Sequence, residues 1–295
     1  MIQALLNHPL VGRSQYEGVL KVLRAAAGAT QHLLQVGDLT LPYLRAGRGR
    51  PLLLLHGFAD SKETWLTLMA LLARDHLCIA LDLPGFGGAA AVEPGRLLPT
   101  AMAQTLVEVL DALGIDRAHL AGNSLGGAYA AAMAAHSPQR VRSATLLGAA
   151  GPRGLHPHLE QARLAGRDLL LPANLAEFDE LMHLSFARHR PPLPRQATRH
   201  LASVWMARRH EHADYFRALE GLDAMPELPS SSPVPVLIAY GRDEKIVHLD
   251  NALAYSQAFA SHQRLWFDGC GHAPQVEQPL PTARAIRSWT LRHPD

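Results

Sequence analysis

The segment Gly122-Asn123-Ser124-Leu125-Gly126 constrains the fold of this chain more than any other feature. It follows an apolar run from Ala118 to Ala121 and opens a run of mostly small residues from Gly127 to Ala135. That order predicts a strand, a sharp turn with the serine at its apex, and a helix. Side chains at the two outer positions would strike the neighbouring strand and helix, so both positions require glycine. The pattern therefore predicts a serine that is held out for reaction.

A serine hydroxyl becomes an effective nucleophile only when a base takes its proton and a third group orients that base. Two later strands lead to suitable partners, because residues 235–240 run into Asp243 and residues 263–267 run into His272. The carboxyl ends of parallel strands meet at one edge of a sheet. We therefore predict Ser124 as nucleophile, His272 as general base and then acid, and Asp243 as the group that orients the imidazole.

Three neighbouring residues compete for these roles. Glu244 is adjacent to Asp243, and Asp268 lies four residues before His272. Asp243 is preferred because it comes first after its strand, whereas Asp268 is more typical of a turn cap. Cys270 is a weaker nucleophile than the serine because no sharp turn or helix start accompanies it, although it is expected to be partly exposed in the site.

A tetrahedral intermediate at this serine needs two backbone N–H donors for its oxyanion. The first is Leu125, at the start of the predicted helix. The second is Phe58, which follows a run of four leucines and the pair His56-Gly57. Gly57 permits close approach of the backbone. We expect His56 to brace this loop and Asn123 to form local hydrogen bonds beside the serine.

Strands and helices alternate along most of the chain, which predicts an α/β fold with a mostly parallel central sheet flanked by helices. The alternation stops after residue 151 and resumes near residue 233, with helical periodicity between. This gap predicts a helical cap inserted after the sixth strand. The predicted parts are a helical segment at 1–31, a core at 32–151 and 233–295 whose first strands form a hairpin turning at Gly37-Asp38, and the cap at 152–232.

Together these pieces resemble the α/β-hydrolase superfamily and, within it, the lipase and esterase branch. Within that branch the chain resembles bacterial lipases with a Gly-Asn-Ser-(Met/Leu)-Gly-Gly turn and monoacylglycerol-lipase-like enzymes. The resemblance implies hydrolysis of carboxylic esters without a cofactor. The matching segments, spread over about residues 40–150 and 233–292, are His56-Gly57-Phe58, Trp65, Asp82 to Gly87, Gly122 to Gly127, Gly241-Arg242-Asp243 and Gly271-His272.

The same resemblance leaves other functions open. Enzymes of this fold that cleave carbon–carbon bonds in ring-fission products use the same Ser-Asp-His set, although they usually carry an aromatic residue where this chain has Ala273. Perhydrolase and amidase activities also fit the triad. A non-catalytic ligand-binding protein of this fold is a further alternative, but such proteins usually lose a triad member. Dehalogenase and epoxide hydrolase chemistry is excluded, because it needs a carboxylate in place of Ser124.

The predicted cap is expected to cover the serine and to line an acyl pocket with apolar side chains. The candidates are Leu169 to Leu171, Leu181-Met182, Leu184 to Phe186 and Val204 to Met206. We expect the substrate to be an ester with a medium acyl chain or an acylglycerol or other lipid ester.

The composition argues against several classes of partner. The chain has 28 basic and 26 acidic residues, a net charge of +2, so it lacks the basic field of a nucleic-acid-binding protein. The 17 histidines are scattered, and the pairs His156/His158 and His210/His212 have no third ligand nearby in sequence, so no metal site is predicted. No residue indicates an oligomeric state.

The cysteine count, the N-terminal sequence and the length of the apolar runs predict where in the cell the protein is located. Its two cysteines are too few for a disulfide framework, no basic region marks a signal peptide, and no apolar run reaches about 18 residues. We therefore expect a cytoplasmic protein. The stretch from Ser14 to Leu34 indicates an amphipathic helix whose apolar face includes Tyr16 and Leu20, and this helix is expected to pack on the body of the protein. Peripheral membrane contact through this stretch or the cap is the alternative.

Overall fold

The computed structural model describes residues 9–220 and 232–294, and within them it forms an α/β fold around one eight-stranded sheet. The strands are β1 (Thr30–Val36), β2 (Leu39–Ala46), β3 (Arg50–Leu55), β4 (His76–Leu81), β5 (Ala118–Asn123), β6 (Val141–Leu147), β7 (Val236–Gly241) and β8 (His262–Phe267). Their spatial order is β1-β2-β4-β3-β5-β6-β7-β8. β1 pairs antiparallel with β2, and β2 with β4, while all the other neighbours are parallel. The predicted fold class is confirmed.

Helices cover both faces of the sheet, because its central strands are apolar on both sides. The helices are α1 (Pro9–Ala27), α2 (Leu66–Leu72), α3 (Pro99–Ala112), α4 (Leu125–His136), α5 (Pro157–Leu164), α6 (Leu175–Ser185), α7 (Arg195–Ala207), α8 (Arg209–Glu220), α9 (Asn251–Ala258), α10 (Pro274–Glu277) and α11 (Pro279–Arg292). Helices α3, α4 and α9 pack on one face of the sheet, where Leu106 and Tyr129 are fully buried. Helices α2 and α11 pack on the other face, where Trp65 and Ile286 are fully buried.

The chain between β6 and β7 forms the helices α5 to α8, so the cap is inserted after the sixth strand as predicted. Residues 221–231 of the predicted cap, which extends to 232, lie outside the described residues. Helix α7 packs against α1, and α8 packs near the segment Pro94–Leu97. The cap is thereby joined to the core on two sides.

The N-terminal helix differs in extent from the prediction. It ends at Ala27, because Gly28 adopts a left-handed φ of +58°, and β1 begins at Thr30. Residues 30 and 31 therefore belong to the sheet, and the amphipathic stretch does not continue as helix to Leu34. Residues 1–8 lie outside the described part of the chain.

Candidate active site

The serine lies at a strained turn between β5 and α4. Ser124 has φ +54° and ψ −118°, values that an L-residue adopts only when its surroundings enforce them. A Cβ atom at Gly122 would lie 2.1 Å from the carbonyl oxygen of Gly126, and one at Gly126 would lie 2.2 Å from that of Leu55. The two glycines are thus required for the reasons that the sequence predicted.

Backbone hydrogen bonds hold the turn in this conformation. The N–H of Ser124 donates to the carbonyl of Leu147 at 3.0 Å, and its own carbonyl accepts from Ala128 and Ala150 at 3.1 and 3.0 Å. The side chain of Ser124 remains partly accessible and lines a cavity under the cap. The turn therefore presents the hydroxyl to whatever enters that cavity.

The histidine pairs with Glu244 rather than with the predicted Asp243. Nδ1 of His272 lies 2.7 Å from Oε2 of Glu244, and both side chains are buried. The other carboxylate oxygen of Glu244 accepts the N–H groups of Ile246 at 2.7 Å and Val247 at 3.4 Å. With Nδ1 engaged, Nε2 is the imidazole nitrogen left to act on a hydroxyl.

The assignment of Asp243 as the orienting acid is therefore wrong, and the loop after β7 explains why. The N–H of Asp243 donates to the carbonyl of Cys270 at 3.0 Å, and the residue is exposed to solvent. The next residue, Glu244, is 3% exposed, and its longer side chain reaches the imidazole. Asp268 is also exposed and pairs with Arg242 at 2.6 Å, so it takes no part in the pair.

Two further residues fix the loop that carries the histidine. The Nδ2 atom of Asn123 donates to the carbonyl oxygens of Leu147 and His272, both at 2.9 Å. A Cβ atom at Gly148, which has φ +50°, would lie 2.8 Å from the carbonyl oxygen of His272 and 3.1 Å from Oε2 of Glu244. Asn123 therefore links the serine turn to the histidine loop, and Gly148 makes room for the buried pair.

The loop after β3 is braced by His56. Its Nδ1 lies 2.8 Å from the carbonyl oxygen of Gly57, and its Nε2 accepts the N–H of Leu83 at 3.0 Å. These partners assign the single ring proton to Nδ1. A Cβ atom at Gly57 would lie 3.2 Å from Cβ of Ser124, so the backbone of this loop runs directly beside the serine.

Both predicted oxyanion donors belong to segments that border the serine. Leu125 is the first residue of α4, and Phe58 follows Gly57 on the braced loop. Among the hydrogen bonds formed by the described residues, none engages the backbone N–H of Phe58 or of Leu125. Both N–H groups are therefore free to donate to a ligand.

Phe58 also joins the core to the cap. Its ring makes edge contacts with Phe86, His212 and Phe216, with ring centroids 5.4 to 5.7 Å apart. His212 is 4% exposed, and burial lowers its pKa to about 4. This aromatic cluster was not predicted, because the cap residues in it lie more than 150 residues away in the chain.

A cavity of about 810 Å³ extends from Ser124 and His272 beneath the cap. Its wall is largely apolar and draws on α1, the core and the cap. The larger apolar side chains in the lining are Val19, Leu20, Leu23, Phe58, Leu125, Leu155, Leu170, Phe178, Leu181, Met182, Phe186, Leu193, Leu201, Trp205, Phe216, Leu219, Ile246, Val247 and Val276. The apolar face of α1 thus packs on the body of the protein.

Cys270 is buried, contrary to the expected partial exposure, and burial raises the pKa of its thiol to about 12. Such a thiol is a poor nucleophile near neutral pH.

Over residues 9–220 and 232–294, no three His, Cys, Asp or Glu side chains come together as a metal site. None of the helices in these ranges combines the length and apolar character needed to cross a bilayer.

Comparison with known proteins identifies the family. The model of the α/β-hydrolase fold family matches residues 50–279, so the chain belongs to that family. The likeness to its lipase and esterase branch is also confirmed, because lipases are among the relatives.

Relatives of two kinds resemble the chain at similar levels. A 2-hydroxymuconate semialdehyde hydrolase of Pseudomonas sp. strain CF600 is 30% identical over 82% of this chain and 87% of its own length. Lipase 1 of Psychrobacter immobilis is 28% identical over 81% of this chain and 77% of its own. The crystal structure of a bacterial membrane phospholipase A superposes with a TM-score of 0.87 at 28% identity, covering 98% of this chain and 94% of that one. The chain is therefore an α/β hydrolase related both to lipases and to carbon–carbon bond hydrolases.

Proposed function

We propose that the protein is a serine hydrolase of carboxylic esters, acting on medium-chain acyl esters or on acylglycerol and other lipid esters. The observation that carries the proposal is the largely apolar cavity of about 810 Å³ that opens onto Ser124 and His272. A cavity of this size and lining suits an acyl chain, with the ester carbonyl at the serine.

In the proposed reaction, Ser124 attacks the ester carbonyl while Nε2 of His272 takes the hydroxyl proton. Glu244 holds the imidazole in the required orientation and stabilises its protonated form, at the 2.7 Å contact with Nδ1. The Oγ–carbonyl carbon bond forms as the carbonyl π electrons move to the oxygen. The products of this step are a tetrahedral oxyanion and an imidazolium.

The oxyanion accepts hydrogen bonds from the backbone N–H groups of Phe58 and Leu125. The dipole of α4, whose first residue is Leu125, adds to this stabilisation. His272 then protonates the leaving alcohol, and the acyl group remains on Ser124. A water that gives its proton to the same histidine attacks the acyl-enzyme, releasing the acid and restoring the serine.

The charges around the cavity favour an ester over a ring-fission product. The relatives that cleave ring-fission products include a hydrolase named for a dienoate, a substrate with a carboxylate. The arginines that line the cavity of this chain already have acidic partners: Arg163 pairs with Glu160 and Glu220, and Arg190 pairs with Asp179. A substrate carboxylate would have to compete with these ion pairs, whereas a neutral ester would not.

Contact with a lipid surface is part of the proposal for lipid esters. Helix α1 turns Leu20 and Leu23 to the cavity, while Leu10 and Val22 are 67% and 68% exposed. The exposed pair is available to a membrane interface. Sedimentation with phosphatidylcholine vesicles of wild type and of Leu10→Ser/Val22→Ser tests this contact.

The experiment that tests the function is a series of p-nitrophenyl esters from acetyl to palmitoyl, assayed with wild type and Ser124→Ala. We expect wild type to show a maximum at a medium chain length and Ser124→Ala to be inactive. A fluorophosphonate label, which reacts only with an activated serine, is applied to both proteins. Labelling of Ser124 without ester hydrolysis would reject the ester and direct the test to ring-fission diketones. Absence of labelling would leave the non-catalytic ligand-binding alternative.

A further inference from the structure

A buried carboxylate, that of Glu277 at the end of α10, lies beside the histidine loop and takes no part in the chemistry above. Glu277 is 6% exposed and forms no ion pair within the described residues. Its two oxygens instead accept four backbone N–H groups. Oε2 accepts from Gly271 at 2.9 Å and Ala187 at 3.1 Å, and Oε1 accepts from Arg188 at 2.5 Å and His189 at 3.2 Å.

The four donors come from two separate parts of the chain. Three belong to residues 187–189, the cap segment that follows α6. The fourth belongs to Gly271, which immediately precedes His272. A single carboxylate therefore joins the cap to the loop that carries the proposed general base.

Other contacts make the junction tight. The N–H of His272 donates to the carbonyl of Ser185 at 2.9 Å. A Cβ atom at Gly271 would lie 2.7 Å from that same oxygen and 3.0 Å from the amide nitrogen of Ala187. The histidine loop and the cap segment are therefore packed directly against one another.

The same cap segment is within reach of the substrate. Phe186, which precedes the bound amides, and His189, which carries the last of them, both line the cavity. An acyl chain that fills the cavity would press on the segment whose amides Glu277 holds. The position of the cap on the core, which we call the seating of the cap, and the position of the imidazole are thereby linked through the side chain of Glu277.

We propose that Glu277 is a positioning residue that makes the catalytic placement of His272 depend on the seating of the cap. This inference rests on the proposed function, because it requires His272 to act as the base. The carboxylate suits the task because its two oxygens together offer about four acceptor sites, one for each N–H.

The test is Glu277→Gln, which keeps the shape but exchanges one acceptor oxygen for an NH₂ group. One of the two pairs of amides then faces N–H donors instead of an acceptor, so the junction between the loop and the cap segment is weakened whichever way the amide turns. We expect kcat for a p-nitrophenyl ester to fall on the order of 10²-fold with KM little changed, since misplacement of a catalytic group by about 1 Å has that effect. Fluorophosphonate labelling of Ser124 should slow in parallel. Glu277→Asp, which keeps both oxygens, should recover a large part of the loss.

A matched control separates positioning from stability. Thr290 on α11 forms a buried hydrogen bond at 2.8 Å with His76, the first residue of β4, whereas the serine turn follows the carboxyl end of its strand. Thr290→Val is expected to lower the melting temperature without slowing the labelling. A folded Glu277→Gln with wild-type kcat and labelling rate would overturn the proposal. If wild-type Ser124 itself does not label, the proposed function fails instead, so the two failures are distinguishable.

Amide hydrogen exchange keeps the proposal testable if Glu277→Gln does not fold. The amides of Ala187, Arg188, His189 and Gly271 share one acceptor group, so they should be protected to a similar extent in wild type. Free exchange at residues 187–189 alongside strong protection at Gly271 would overturn the coupling.

Discussion

Oε2 of Glu244 lies 2.7 Å from Nδ1 of His272, whereas the carboxylate of Asp243, one residue earlier, faces solvent. The two acids are adjacent in the chain, but only one of them reaches the imidazole. This relationship assigns the orienting role of the proposed triad to the glutamate. It also allows a direct comparison of two substitutions, one at Glu244 and one at the adjacent, exposed Asp243.

Glu244→Gln should lower kcat on the order of 10³- to 10⁴-fold, because the imidazole loses the charge that stabilises its protonated form and its tautomer. Asp243→Asn, next to it but exposed, should leave kcat within about twofold of wild type, as is usual for surface substitutions. Ester hydrolysis and fluorophosphonate labelling measure both variants. The reverse result, with Asp243→Asn inactive and Glu244→Gln active, would restore the assignment made from sequence.

Gly148 offers a test of the space beneath this pair. Gly148→Ala would place a methyl group 2.8 Å from the carbonyl oxygen of His272, in a residue with φ +50°. Gly114→Ala has the same left-handed backbone, with φ +67°, but meets no atom within 4 Å. We expect both to lose about 1–2 kcal/mol from backbone strain, and only Gly148→Ala to lose activity, on the order of tenfold or more because His272 shifts. Thermal unfolding and kcat separate the two effects, and equal activity in both variants would contradict the expectation.

The sequence predicted the sheet and the serine turn because both depend on local patterns. Short apolar runs that lead to a glycine, Leu52 to Leu55 and Ala118 to Ala121, set β3 and β5. Gly122 is required by its contact with Gly126 four residues later, and Gly126 by its contact with Leu55 on the neighbouring strand, which the pattern of the turn already implies. The histidine was predicted for a similar reason, since it follows the last strand.

The remaining site residues depend on contacts that the local sequence does not carry. Which of Asp243 and Glu244 turns inward is decided by the path of the loop against Cys270. Glu277 looks like a helix-end acid in sequence, and its burial depends on a cap segment about 90 residues earlier. The only available signal for Glu244 was its adjacency to the preferred acid.

His212 should make the stability of the protein depend on pH. Burial lowers its pKa from the ordinary value of 6.5 to about 4, so the unfolded chain binds this proton more readily than the folded one. The resulting stability is complete above about pH 6.5 and is lost as pH falls towards 4. Between pH 7.5 and 5 the loss is roughly 2 kcal/mol.

His212→Phe removes this titration while retaining a ring against Phe58 and Phe86. Its free energy of unfolding, from urea denaturation, should therefore fall less steeply between pH 7.5 and 5 than that of wild type. His210→Phe changes an exposed histidine on the same helix and should keep the wild-type slope. Identical slopes for wild type and His212→Phe would show that His212 does not contribute.

Trp205 on α7 should limit the length of the acyl chain. Its ring lines the cavity and meets the ring of Phe178 edge-on, with centroids 5.8 Å apart. Trp205→Ala opens space in this wall, so the preferred p-nitrophenyl ester should become longer. Each added methylene that finds apolar contact gains about 0.8 kcal/mol, which is roughly fourfold in kcat/KM. Val204→Ala, on the adjacent exposed residue, should leave the profile unchanged. If Trp205→Ala prefers the same ester chain length as wild type, the acyl chain lies elsewhere in the cavity, and the wall at Trp205 contacts the alcohol group instead.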